Sequence, residues 1–224
     1  MSVTAENITK EYIRESKGTN RFAAVRETTV TIESGKLTVL KGRSGSGKST
    51  FLNMAAGLSR PTSGRIVYDD RDIYSLSDRE LSRLRNEYTG VIPQGQSAIF
   101  SLSVMENVLL PFTLYRQDGG EQKARELLEK LGIAHLENAM PRELSGGELR
   151  RVSIARALVK KPALILADEP TADLDDENTE LVFDLLKTAA HEGAAVLTVT
   201  HENGAEDFAD ALWRMDSGTL EVIK

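Results

Sequence analysis

Cysteine is missing from all 224 residues, which excludes disulfides, thiolate metal sites and cysteine nucleophiles and agrees with a cytosolic setting. No run comes near the roughly 18 apolar residues of a membrane-crossing helix. A protein of this kind that works at a membrane relies on another polypeptide to span it. The opening Met1-Ser2-Val3-Thr4-Ala5-Glu6 lacks the basic and apolar blocks of a secretory signal. Positive charge is short as well: 28 Lys and Arg face 34 Asp and Glu, a net charge of −6. No broad basic surface for nucleic acid or anionic membrane is expected, so any anion site must be local. Internal repeats, low-complexity tracts and linkers are absent too. What remains, 40% apolar and 28% charged residues, suits one large globular domain.

One local anion site stands out. Gly42-Arg43-Ser44-Gly45-Ser46-Gly47-Lys48-Ser49-Thr50 follows the apolar run Leu37-Thr38-Val39-Leu40 and leads into Phe51-Leu52-Asn53-Met54-Ala55. That order predicts strand, glycine-rich loop, helix, and Gly42, Gly47, Lys48 and Ser49 fill G-x-x-x-x-G-K-[ST]. Glycines let the backbone wrap a phosphate without Cβ clashes, so that successive N–H groups point inward. The positive end of the following helix adds to the field. Lys48 then reaches the β- and γ-phosphates, and the Ser49 hydroxyl ligates Mg²⁺.

Residues 3–12 and 23–32 are expected as strands around a polar turn at Ser16-Lys17-Gly18-Thr19-Asn20, although their alternation is loose. Tyr12 on the first strand is either an edge packing residue or a flat ring on which a base stacks. A short strand is expected at 65–68, a helix at 76–85 and a strand at 89–92 ending at Pro93-Gln94. Residues 104–114 and 121–131 carry apolar residues at helical spacing, with Leu127, Leu128 and Leu131 as a buried stripe and Gly132 as the stop.

Leu144-Ser145-Gly146-Gly147-Glu148 opens a helix running to about residue 159. Ser145 with Glu148 three residues on forms a capping box, which accounts for those two residues. It does not call for two glycines, each costing nearly 1 kcal/mol relative to alanine in a helix. An anion approaching the backbone there does. Ala163-Leu164-Ile165-Leu166-Ala167 predicts an interior strand of a parallel sheet, ending in Asp168-Glu169-Pro170. Two carboxylates at such a strand end lie where α/β sheets bind ligands. A helix over 176–191, a strand over 194–200 ending at His201, and a closing hairpin around Ser217-Gly218 complete one α/β domain.

With these residues in place, nearly the whole chain resembles the ATP-binding subunit of an ABC transporter, with the family's motifs in the family's order. Gly42 to Ser49 resembles Walker A, Gln94 the Q-loop glutamine, and Leu144 to Glu148 the LSGGQ signature with glutamate last. Leu164 to Asp168 resembles Walker B, Glu169 the catalytic carboxylate, Ala172-Asp173-Leu174-Asp175 the D-loop, and His201 the switch histidine. Tyr12 falls where the family's adenine-stacking aromatic is expected. The resemblance implies a P-loop NTPase (RecA-like) core, an N-terminal antiparallel β subdomain and an inserted helical subdomain at roughly 95–160, all within a single domain 1–224. It implies ATP and Mg²⁺ as cofactors. Residues 42–50 with Tyr12 bind nucleotide in one subunit, while Ser145, Gly146, Gly147 and Glu148 serve the nucleotide of the other in a head-to-tail homodimer, and Asp175 is a further nucleotide-binding candidate. Asp168, Ser49 and Gln94 are the candidate metal residues. Glu169 is the general base, His201 contacts the γ-phosphate with Lys48, and Gln94 senses it. Arg43 stands where many relatives have proline.

The segment Val104-Met105-Glu106-Asn107-Val108-Leu109-Leu110-Pro111 resembles the lipoprotein-release, macrolide and bacteriocin-export group. An exporter subunit paired with a separate transmembrane permease, peripheral on the inner face of the membrane, is therefore expected. A non-transport ATPase regulating cell-wall remodelling at division is the alternative. DNA-repair and chromosome ATPases need long coiled coils that the span from Lys48 to Ser145 cannot hold, and no nucleic acid partner is expected. Gln94 onward, Ile99, Phe100, Leu102, Val104 and Met105 form a candidate groove for a permease helix. The stretch 95–102 differs from that of familiar relatives.

Overall fold

The computed structural model describes residues 1–15, 19–202 and 204–224, and side chains outside 14–20. The expected turn at 16–20 falls at 16–18 outside the described residues, while Thr19 and Asn20 belong to the second strand. Two sheets organise the chain. The first is antiparallel, in the order β2-β1-β4-β5, from β1 (Val3–Glu15), β2 (Thr19–Ile32), β4 (Ser63–Tyr68) and β5 (Arg71–Asp72). The loose alternation of Val25, Val30 and Ile32 in β2 has a cause: the register of β1 with β2 shifts between Ala5 and Ile8, between Ile8 and Lys10, and between Lys10 and Glu11, and each irregularity interrupts the period of two.

The second sheet runs β10-β9-β3-β8-β7-β6, from β3 (Leu37–Lys41), β6 (Thr89–Ile92), β7 (Leu164–Asp168), β8 (Ala195–Val199), β9 (Ala211–Asp216) and β10 (Thr219–Val222). All of it is parallel except the β9–β10 hairpin. Every residue of β7 and β8 is buried, as continuous apolar strands inside a parallel sheet must be. The hairpin turns at Ser217 (φ 48°) and Gly218 (φ 83°), the pair of positive φ values that a two-residue hairpin requires. It does not stand alone, because β9 lies parallel to β3 and extends the sheet.

Six helices cover the sheets. They are α1 (Lys48–Ala55), α2 (Asp78–Tyr88), α3 (Val104–Thr113), α4 (Glu121–Lys130), α5 (Gly146–Leu158) and α6 (Asp176–His191). Capping boxes start α2 (Ser77, Glu80), α3 (Ser103, Glu106) and α5 (Ser145, Glu148). The first of these places the start of α2 two residues later than the apolar spacing suggested. Gly132, at φ 68°, follows α4 in the left-handed conformation that ends helices. The expected stripe on α4 holds, with Leu128 and Leu131 inaccessible beside Ala124 and Leu127 half-buried. On the other side, α1 buries Phe51 edge-on against Trp213 of β9, ring centroids 6.2 Å apart. Removing that ring from water stabilises by roughly 2–3 kcal/mol and ties the helix after the glycine loop to the sheet. Among the described residues, no helix is long and apolar enough to cross a membrane.

Candidate active site

Parallel register decides which loops meet. Leu40 pairs with Val199, and Val199 with Asp168, so β3, β8 and β7 end at one level. The loops that leave them carry residues 42–47, His201 and Glu169 to one edge of the sheet, where open α/β sheets bind ligands. A cleft of about 550 Å³ lies there, lined by Tyr12, Phe22, Ala24, Ser44, Gly45, Gly47, Lys48, Ser49, Thr50, Gln94, Asp168, Glu169 and His201. The second large cavity, about 520 Å³, lies between α4 and α6 beside Leu158 and Ile165 and contains none of the expected site residues.

The glycine loop has the geometry that an anion needs. Gly45 (φ 76°) and Gly47 (φ 109°) are left-handed, and a Cβ on Gly47 would strike the carbonyl oxygen of Ala24. Gly47 caps α1 without any side-chain hydrogen bond, which leaves the first N–H groups of the helix for a bound anion. Lys48 is buried and its Nζ donates to the carbonyls of Gly42 (2.7 Å) and Arg43 (3.0 Å), within the mouth of the loop. Gly42, Arg43 and Ser46 do not line the cleft. A side chain on Gly42 would collide with the carbonyl of Met215, and the Ser46 hydroxyl is buried with no hydrogen-bond partner.

Two carboxylates face this loop. Asp168 is buried, and desolvation raises its pKa; Glu169 adds to the rise, while a hydrogen bond from Ser49 and the charges of Lys48 and Arg150 oppose it. A divalent cation held by Ser49 and Asp168 would offset that cost, and their two oxygen donors fit Mg²⁺. Among the described residues no group of three His, Cys, Asp or Glu forms a metal cage. Glu169 is 7% exposed and sits at φ 48°, uncommon for a residue with a Cβ. Its Oε1 lies 2.7 Å from Nδ1 of His201, whose side chain is largely exposed.

The remaining predicted residues are placed elsewhere. Ser145 N–H donates to Glu148 at 2.7 Å and Glu148 N–H to Ser145 Oγ at 3.3 Å, so the helix start is capped. Ser145 and Gly146 are exposed, and Gly147 packs against Asp173 and Leu174, outside the cleft. Asp175 also lies outside it, and its Oδ1 accepts from the backbone and side chain of Asn178 at the start of α6. Of the proposed groove, Val104 is fully buried in the core, Leu102 and Met105 are half-buried, and only Ile99 and Phe100 are exposed. Val104 thus leaves the groove: it opens a helix whose first turn packs on α5, while the two preceding residues stay on the loop.

The sequence reading missed two contributors. Phe22 pairs with Tyr12 across β1 and β2 and stacks on it, centroids 5.8 Å apart, doubling the aromatic platform at the cleft. The hint was alternation, since Phe22 shares a strand face with Ala24. The other is Arg150 on α5, a buried cation that a helix-start motif hides among ordinary charged residues.

Comparison with known proteins agrees with this arrangement. The family model described as ABC transporter matches residues 25–172. The lipoprotein-releasing system ATP-binding protein LolD of Myxococcus xanthus (strain DK1622) is 39% identical over 202 residues, 89% of each chain. The uncharacterized ABC transporter ATP-binding protein MJ1508 of Methanocaldococcus jannaschii is 36% identical over 223 residues, 99% of this chain and 98% of the relative. Among solved structures, the dimeric bacterial ABC transporter cassette MJ0796 superposes with a TM-score of 0.90 at 31% identity, covering 99% of both chains. The same cassette in a dimeric post-hydrolysis state bound to ADP and Pi gives 0.89 at 32% identity.

Proposed function

This chain belongs to the ABC transporter family as an ATP-hydrolysing cassette, and from that premise we propose that it powers a membrane exporter as a head-to-tail homodimer docked on a separate permease at the inner face of the membrane. The observation that carries the reading is a division of labour. One cleft gathers a base platform, a phosphate loop, two carboxylates and a histidine, while the second anion-type helix start, at Ser145, lies outside it. A single nucleotide needs one phosphate loop, so the other cradle serves a second copy of the chain. Resemblance to the dimeric cassette and to lipoprotein-releasing ATP-binding proteins supports the dimer and the direction of transport.

The chemistry follows from the placements. Tyr12 and Phe22 offer a face to adenine. Backbone N–H groups of residues 44–50 and the Lys48 ammonium hold the phosphates. Mg²⁺, when bound at Ser49 and Asp168, supplies neutralisation of charge on the β- and γ-phosphates. Glu169 accepts the proton of the attacking water, its carboxylate aimed by the bond to His201 Nδ1, which leaves Nε2 of that ring for the γ-phosphate. Gln94 is exposed and lines the cleft, which supports its reading as the sensor of that phosphate. The permease helix docks on Ile99 and Phe100, in the loop that follows Gln94.

Glu169→Gln tests the reading. Hydrolysis should fall by about 10²–10⁴. Light scattering should show a dimer with Mg-ATP that dissociates when nucleotide is withdrawn. A variant that stays monomeric with ATP at high concentration overturns the two-copy site, and activity within a few-fold of wild type removes Glu169 from its role.

A further inference from the structure

The roles above leave one buried cation unused. Arg150 lies on the second turn of α5 and is 4% exposed, yet no carboxylate oxygen stands within ion-pair distance of it among the described residues. Its guanidinium is bonded instead to five backbone carbonyls. Nε donates to Pro170 (2.9 Å), Nη1 to Pro93 (2.5 Å) and Gly95 (2.9 Å), and Nη2 to Asp168 (2.8 Å) and Glu169. A guanidinium has five N–H groups in a rigid plane, so its whole donor set is spent on these contacts.

The identity of the five acceptors is informative. Pro93 and Gly95 flank Gln94, and the other three form the backbone through Glu169. The cation therefore ties the phosphate-sensing loop, the general base and α5 at one point. Glu169 needs such a tie, because a left-handed backbone at a residue with a Cβ costs about 1–3 kcal/mol and persists only where its surroundings fix it. Its N–H donates to Val199 (2.8 Å) and its carboxylate meets His201, while Arg150 holds its carbonyl. The same helix grips the sensing loop through two more residues, Ser153 to the Ser97 hydroxyl at 3.0 Å and Arg156 to the Ser97 carbonyl at 2.9 Å and hydroxyl at 2.6 Å. Those contacts hold the loop but do not reach Glu169.

We propose that Arg150 is a positioning residue for ATP hydrolysis, fixing the backbone of Glu169 and the Gln94 loop as one unit without touching nucleotide. This rests on the reading of Glu169 as general base. Arg150→Met removes every donor, whereas Arg150→Lys keeps the charge and three donors in a flexible ammonium.

Steady-state ATPase of the purified chain gives the first measurement. Arg150→Met should lower kcat by about 10–100-fold, since an ångström of misplacement costs on that order. The KM and the affinity for a fluorescent ATP analogue should stay within a few-fold, and Arg150→Lys should fall between. The second measurement is a double-mutant cycle in single turnover. In a Glu169→Gln background, Arg150→Met should cost less than about threefold, because the group it positions is already gone. An equal loss in both backgrounds overturns the proposal, as does a lowered melting temperature with kcat per folded molecule unchanged. Should Arg150→Met fail to fold, wild-type kcat in Arg150→Lys overturns it. Failure of the underlying reading looks different: Glu169→Gln alone then keeps its activity.

Discussion

Replacing Asn107 by alanine tests how the docking loop is held. Asn107 is fully buried on α3, an uncommon place for an amide, and among the described residues its side-chain bonds go to the loop before its own helix. Its Oδ1 accepts from Ile99 N–H at 2.7 Å, and its Nδ2 donates to the carbonyls of Ile99, Leu102 and Ser103, each at 3.0 Å. Those bonds fix the segment that exposes Ile99 and Phe100. Each is worth about 1 kcal/mol net, but loop carbonyls released near the surface regain water, so a total of about 2–4 kcal/mol is expected. For a chain of this size that lowers the melting temperature by roughly 4–16 °C. Asn107→Asp should cost more, since a carboxylate oxygen then faces three carbonyls. Calorimetry reads the stability, ATPase turnover of the isolated chain should stay within about twofold, and capture by the permease should weaken because the loop pays an ordering entropy on docking. A melting shift below about 2 °C refutes the hydrogen-bond reasoning. Unaltered permease capture with the expected shift refutes the link between Asn107 and docking.

Phe100→Ala, at a ring 58% exposed, should leave folding and basal ATPase nearly intact while abolishing co-purification with the permease; loss of folding would mark the ring as core instead. Gly47→Ala combines a φ of 109° with a Cβ pressed on the Ala24 carbonyl, and strain of about 1–3 kcal/mol carried into binding is a roughly 5- to 150-fold loss of ATP affinity, measured by titration. Glu148 has its pKa lowered by hydrogen bonds from the backbone and hydroxyl of Ser145. A depressed carboxylate contributes stability above its unfolded pKa of about 4.3 and loses it as pH falls through the lower folded value. Glu148→Gln keeps a capping partner that does not titrate, so its melting temperature should decline less than that of wild type on acidification below about pH 4.5; parallel curves would discount the box.

Much of this was legible because it is local. Ser145 with a glutamate three residues on, and the glycines of 42–47, specify backbone geometry that their own sequence context demands, and the same pattern at Ser77 and Ser103, unread in the apolar spacing, sets the starts of α2 and α3. The apolar runs of β3, β7 and β8 likewise announce burial on both faces. Other features depend on partners far along the chain. That β9 inserts beside β3 follows from Leu40 meeting Trp213, a pairing no periodicity encodes. Phe22 joins the cleft only through its register with Tyr12. Asn107 and Arg150 look like solvent-facing residues of ordinary helices, because what buries them is carbonyl groups, which every residue has and no sequence marks. Apolar pattern also overreached at Val104, where a run of exposed-looking hydrophobes crossed from loop into core.

The backbone strain in this protein is placed where the two loops of the site brace each other. Glu169 at φ 48° and Asp173 at φ 67° bracket the turn after β7, a costly stretch if it stood alone. Between them Thr171 is buried, and its hydroxyl donates at 2.6 Å to Glu202, the residue after His201. Glu202 N–H in turn donates to Thr200 Oγ1 at 3.1 Å, and Glu169 N–H reaches Val199. The turn after β7 is thus bonded to the segment that ends β8 at Val199, His201 and Glu202, on both sides of the Glu169–His201 contact. With Glu169 in the proposed role of base, a carboxylate and histidine held this way would need little reorganisation when a γ-phosphate arrives, which is how a preorganised site lowers a barrier. Gly147, against Asp173 and Leu174, rests on the same turn. In the proposed head-to-tail dimer, movement of the Ser145 helix start toward a partner's phosphate would therefore bear on the segment that carries Glu169. On the proposed reading, closure of the two-copy site and alignment of the base would be coupled through this single short turn.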